Sequence, residues 1–122
     1  MHAKLTEAVT RFNQREYFNC HELLEDIWHE AEGDDRNFYE GLIRLATGMH
    51  LRVNRRIPQG AINLLKQGLM RLENYRPSYL GVDVARLFTD IESHLEEVKT
   101  SKNPQAGFFE RWRGPRIYFV SS

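Results

Sequence analysis

The amino-acid sequence predicts an all-α protein, an irregular bundle of about five helices with a non-helical aromatic C-terminal arm. Two observations carry that expectation. Apolar residues return at i, i+3, i+4 and i+7 in five successive stretches, the spacing of one helix face. Between those stretches stand glycine, proline and aspartate, which stop and start helices. With 41% hydrophobic and 28% charged residues the composition is that of a folded chain rather than a disordered one. Residues 1–122 are expected to form a single helical domain with its core over about 5–100 and its arm over about 103–122. That length is enough to bury one core without disulfide or metal staples.

Leu5, Ala8, Val9 and Phe12 predict a short first helix from about Leu5 to Gln14. A second begins near Glu16 and carries Cys20, Leu23, Leu24, Ile27, Trp28 and Ala31 on its stripe, the most regular pattern in the chain. Gly33-Asp34-Asp35 stops it: glycine suits the left-handed cap, and an aspartate offers an N-cap to the next helix. The third helix, about Asp35 to Arg55, has a wide stripe (Phe38, Leu42, Leu45, Ala46, Met49, Val53) that marks it as central. Gly41 and Gly48 lie seven apart on one face of it. Each costs about 1 kcal/mol of helix propensity relative to alanine, a cost that close approach of a neighbouring helix would explain.

Pro58 opens a fourth helix, because its missing N–H has no partner to lose in a first turn. Its stripe is Ala61, Leu64, Leu65, Gly68, Leu69 and Leu72, and Tyr75-Arg76-Pro77-Ser78 ends it. After Gly81, Asp83 caps a fifth helix carrying Val84, Leu87, Phe88, Ile91, Leu95 and Val98 to about Thr100. The arm holds clustered aromatic residues and is expected to wrap the bundle, since a solvated tail rarely exposes so many rings. The pair of helices from Tyr39 to Leu72 has the length of a helical-repeat unit, but only one copy is present, and a repeat array needs about three.

Equal numbers of Lys+Arg and Asp+Glu, 17 each, give no overall pull toward nucleic acid or an anionic membrane. Cys20 is the single cysteine, so neither an internal disulfide nor a two-cysteine zinc half-site can form. No apolar run approaches the roughly 18 residues of a membrane span, and Met1–Glu7 lacks a signal core. A cytoplasmic location without membrane association is the expectation, with homodimerisation through an exposed apolar stripe as one mode of assembly.

The chemistry concentrates on the second helix. At 100° per residue His21, Glu25 and Trp28 share neighbouring rows at the edge of the apolar stripe. His-Glu-Leu-Leu-Glu resembles the His-Glu-x-x-His zinc motif with a carboxylate in place of the second histidine. If the central helix supplies His50, then His21, Glu25 and His50 make a candidate ligand set for a divalent metal, zinc or iron. Glu22 and His29 are then candidate catalytic bases, and a Glu25–His29 pair is an alternative local arrangement. The plainer reading makes His21 a partly buried histidine satisfied by Glu25 or a backbone carbonyl, and makes Glu22, Asp26 and Glu30 a solvated acidic ridge. Arg52, Arg55 and Arg56, with Lys66 and Arg71 beyond, form a candidate anion site near the start of the fourth helix. Phe108, Phe109, Arg111, Trp112, Arg113 and Tyr118 interleave rings and cations as single-strand nucleic-acid binders do, though packing on the bundle suits a neutral protein better. Cys20 falls on the apolar stripe, as a buried small hydrophobe.

Three blocks together carry a family resemblance: Phe12-Asn13 followed by Tyr17-Phe18-x-x-His21-Glu22-x-x-Glu25-x-x-Trp28; Phe38-Tyr39-x-Gly41-Leu42-Ile43-x-Leu45-Ala46-x-x-x-His50; and Gly60-Ala61-x-x-Leu64-Leu65. Over about Leu5 to Leu95 the chain resembles the prokaryotic family known as domain of unknown function 309. The resemblance implies a small irregular helical bundle and brings no activity, substrate or cofactor with it. The family's signature polar residues fall on His21, Glu22, Glu25, Trp28 and His50. Ahead of Pro58 this chain departs from the pattern, with Arg56-Ile57 where Gly-Asn is usual. The function expected is that of a small binding or accessory module with a polar pocket formed by His21, Glu25, Trp28 and His50. Its rivals are a metal-dependent hydrolytic enzyme using His21, Glu25 and His50, and a nucleic-acid-binding module using the arginine cluster and the arm.

Overall fold

The computed structural model describes residues 2–100 and 114–121. Five α-helices carry the fold: α1 (Ala3–Asn13), α2 (Tyr17–Glu30), α3 (Gly33–His50), α4 (Pro58–Leu72) and α5 (Val84–Thr100). A small antiparallel hairpin, β1 (Ser78–Tyr79) and β2 (Val82–Asp83), joins α4 to α5. The all-α expectation holds, with the helices near their expected positions.

The caps follow local chemistry. His2 accepts the Lys4 N–H on Nδ1 at 3.2 Å and so begins α1. Pro58 stands in the first turn of α4, and the Asp83 carboxylate accepts the Arg86 N–H at 3.1 Å at the start of α5. Between α2 and α3 the detail differs from expectation. Glu32, without a side-chain cap bond, holds the N-cap position of α3, and Gly33 comes next at φ 60. Asp34 and Asp35 instead occupy the first turn, where carboxylates favour the positive end of the helix without capping it.

α3 does not run straight to Arg55. Past His50 it widens into a π-helical turn, Leu51–Arg55, closed by Arg56 in the left-handed region at φ 54. The Ile57 N–H reaches back to the Leu51 carbonyl at 2.9 Å. The extra residue in this turn alters the direction of the side chains after His50, with consequences for the arginine cluster.

α3 is the central helix, packed on α2 along one flank and on α4 along the other. The α3–α4 seam confirms the expected glycine notches. A Cβ built on Gly41 would stand 2.8 Å from Leu72 Cδ2, and one on Gly48 would stand 2.9 Å from Leu65 Cδ2. Gly68 of α4 reciprocates by receiving Leu45 of α3. Leu45, Leu65 and Leu72 are fully buried as a result. α5 packs behind α4 and buries Leu87 and Ile91.

Residues 114–121 return along the bundle. The Asp83 N–H donates to the Tyr118 carbonyl and the Val120 N–H to the Gly81 carbonyl, each at 2.8 Å, so this stretch lies along β2 with Phe119 opposite Val82. Asn13 at the end of α1 holds Ile117 as a neighbouring strand would, donating from Nδ2 to its carbonyl at 2.9 Å and accepting its N–H at 2.8 Å. Tyr118 lies under the Arg86 guanidinium, 3.6 Å from the ring centroid. Phe108, Phe109, Arg111, Trp112 and Arg113 lie outside the described residues. Among the described residues no helix is long and apolar enough to cross a membrane.

Candidate functional site

α2 and α3 run antiparallel, so the start of one faces the end of the other, and the outward edge of their contact forms a shallow groove. Phe18, His21, Glu25 and Trp28 recur on α2 at helical spacing, and Arg36, Glu40, Ile43, Thr47 and His50 do so on α3. The groove has two lobes. One cleft of about 330 Å³ is lined by Glu25, Trp28, Glu40, Ile43, Arg44, Thr47 and Leu64. The other, about 300 Å³, is lined by Trp28, Gly33, Arg36, Asn37, Glu40 and Arg71. Trp28 and Glu40 border both.

Of the expected pocket residues, Glu25 and Trp28 line these clefts, whereas His21 and His50 do not line them and are linked instead through Phe18. His21 Nε2 lies 3.3 Å from the Glu25 carboxylate, with the two side chains 25% and 49% exposed. The local pairing is therefore His21–Glu25 and not Glu25–His29. His50 bonds Asn54 Oδ1 through Nδ1 at 3.2 Å, one turn further along its own helix. Phe18 contacts both imidazoles, with ring centroids 6.0 Å from His21 and 5.6 Å from His50. Among the described residues no three His, Cys, Asp or Glu side chains are placed to hold one metal ion. Among the described residues His21 pairs with Glu25, and no third ligand stands beside them.

Trp28 is half-buried, as an aromatic ring at the margin of an apolar stripe should be. The Arg36 guanidinium lies 4.0 Å from the centre of its ring, and His29 packs on its edge at 5.1 Å. Glu40 takes two bonds from Arg44, from Nη2 at 3.0 Å and Nε at 3.3 Å, and Arg44 also meets Gln67 of α4. The candidate bases Glu22 and His29 are exposed. Glu22 belongs with Asp26 and Glu30 to the solvated ridge, all three being exposed, and Asp26 pairs with Lys4 at 3.7 Å. Cys20 is buried, and burial pushes its thiol up to about 12, so it stays protonated and inert.

The π-helical turn divides the expected anion cluster. Arg55 and Arg56 are exposed, whereas Arg52 turns inward with its Nε buried. Its charge falls on His94, which is 3% exposed. Burial, and then Arg52, push that imidazole down to about 4, and among the described residues His94 Nε2 has no hydrogen-bond partner. Sequence patterning overlooks His94 because α5 reads as an ordinary amphipathic helix. The signal is nonetheless present: His94 stands seven residues after Leu87 and three after Ile91, on the apolar stripe itself. Phe18 is overlooked as well, and its signal is the converse, an aromatic residue three before His21 and off the stripe.

Known proteins share this region. The sequence profile described as domain of unknown function 309 matches residues 5–64, which takes in α1, α2, α3 and every groove residue on α2 and α3. An uncharacterized protein of Aquifex aeolicus (strain VF5) is 31% identical over 99 residues, covering 80% of this chain and 28% of the relative. The uncharacterized protein YpuF of Bacillus subtilis (strain 168) is 33% identical over 91 residues, covering 70% of this chain and 51% of the relative. The chain thus spans about half or less of the length of these relatives. Through residues 5–64, with the three sequence blocks seated on helices α1 to α4, the chain belongs to the family described as domain of unknown function 309.

Proposed function

We propose that the chain is a binding module that receives a peptide segment of a partner in the α2–α3 groove. The carrying observation is the composition of this face: Glu25 and Trp28 of α2 with Arg36, Glu40 and Thr47 of α3 line the clefts, and Phe18 packs with His21 and His50 on the same two helices. Peptides are recognised by such surfaces, where a few aromatic anchors stand among groups that hydrogen-bond. Phe18 supports the reading, because it is 52% exposed and yet is held in place by two imidazoles. The greater length of the relatives fits a unit that serves larger assemblies. A cytoplasmic setting belongs to the same proposal, since a lone buried cysteine has no use for an oxidising compartment.

Titration of the isotopically labelled chain with four capped tetrapeptides, acidic, basic, aromatic and aliphatic, tests the reading by amide chemical shifts. At least one peptide should give saturable shifts confined to α2, α3 and the facing edge of α4. Silence from all four, or shifts centred elsewhere, would overturn it.

A further inference from the structure

The lobe of the groove lined by Trp28, Arg36, Asn37 and Arg71 has a chemistry of its own. Its guanidinium groups come from different helices and are held by neutral partners. The Arg36 guanidinium carbon lies over Trp28, 4.0 Å from the ring centroid, and Arg71 Nη1 donates to Asn37 Oδ1 at 2.7 Å. Asn37 is itself fixed, donating from Nδ2 to the Tyr75 hydroxyl at 3.0 Å, and Tyr75 in turn donates to the Asp34 carbonyl at 2.9 Å. Among the described residues neither Arg36 nor Arg71 has a carboxylate within ion-pair distance. Glu40, the acid that borders this lobe, is bound by Arg44 at 3.0 Å. Asp35 of the adjoining turn bonds the Tyr79 hydroxyl.

We propose that this lobe is a carboxylate-binding site, in which Arg36 and Arg71 take the two oxygens of an acidic side chain or C-terminus of the bound segment. The proposal rests on the peptide-binding reading of the groove and names the group that this end of it recognises. A guanidinium meets a carboxylate with two parallel N–H···O bonds, about twice as strong as neutral ones, so exchange of Asn37 Oδ1 for a carboxylate oxygen is favourable for Arg71. A cleft of about 300 Å³ admits a side-chain carboxylate with its stem against Trp28. The nearby charges of Glu40, Asp34 and Asp35 oppose a doubly charged phosphate group in the lobe more than a carboxylate group, which brings one charge into it.

The test uses the full chain with Trp112→Phe, which leaves Trp28 as the remaining tryptophan, titrated separately with glutarate and with inorganic phosphate at constant ionic strength. Glutarate should change Trp28 fluorescence saturably, more tightly than phosphate. Arg36→Met and Arg71→Met should each weaken it about tenfold or more, the worth of a charged hydrogen bond, while Arg55→Met on the exposed turn should leave it unchanged. No saturable response to glutarate, tighter binding of phosphate, or equal weakening by Arg55→Met overturns the carboxylate site. If glutarate fails while a non-acidic tetrapeptide still shifts the groove amides, the carboxylate site falls and the groove reading stands. If both fail, both fall.

Discussion

The two flanks of α3 are built from the same kind of helix and end in opposite states. On the α4 flank, Gly41, Gly48 and Gly68 each remove a side chain at the point where a leucine of the other helix arrives, and the helices close on one another at those pairs. On the α2 flank the contact is sealed from beneath by Leu24, Ile27, Phe38 and Leu42, while its outward edge carries Trp28, Glu40, Arg44 and His21. These side chains keep their polar ends in water, as amphipathic side chains do, and the groove is what remains between them. The small residue closes one flank and the long polar residue opens the other.

Histidine provides the largest test of a like contrast, because His21 and His50 are partly exposed whereas His94 of α5 is 3% exposed. The unfolded chain takes up a proton on His94 near pH 6.5, and the folded protein does so only near 4. The contribution is therefore complete above pH 6.5, falls as the pH drops through that window, and is flat below it. Its extent is up to about 3 kcal/mol, from about 1.4 kcal/mol per pH unit. Urea unfolding at a series of pH values should show His94→Leu losing less stability than the parent between pH 6.5 and 4. Parallel curves for the two proteins would place His94 in contact with water and break the contrast.

A smaller effect is expected at the closed seam. Alanine at Gly68 would bring its Cβ to 2.5 Å from Leu45 Cδ2 and 3.1 Å from the Gly41 carbonyl oxygen, and Leu45 is fully buried with little room to swing. Overpacking of this kind costs about 1–3 kcal/mol, enough to outweigh the roughly 1 kcal/mol that alanine gains in helix propensity. Thermal or urea unfolding of Gly68→Ala measures it, and adding Leu45→Ala should cost less than the sum of the separate losses. A stabilised Gly68→Ala would mean that the seam is looser than the distances require.

These outcomes bear on how much is legible in the chain. Helix positions, the central place of α3 and the glycine notches follow from local spacing, because amphipathic period and the small residue are recorded in consecutive positions. The hairpin 78–83 and the π-helical turn are not recorded that way. The hairpin depends on a third stretch, 118–120, that is distant in sequence, and the turn depends on one extra residue that leaves the apolar period almost undisturbed. The seam of His21, Glu25 and Trp28 is legible as a face of α2, whereas Arg36, Asn37 and Arg71 are not legible as part of it. Arg71 belongs to α4, and only packing brings it beside the start of α3.

The smallest effect belongs to the open flank and discriminates between two views of His21. A histidine satisfying a buried partner costs about 1–3 kcal/mol when removed. The His21–Glu25 contact at 3.3 Å is instead a rim pair with Glu25 half exposed, and exposed i,i+4 pairs contribute only about 0.3–0.5 kcal/mol. Alanine's better helix propensity offsets part of that, so His21→Ala should unfold within about 0.5 kcal/mol of the parent. The same substitution should weaken whichever tetrapeptide the groove binds, because the ring then no longer flanks Phe18. A loss above about 1 kcal/mol with binding intact would make His21 a strut of the fold and leave the groove one recognition group poorer.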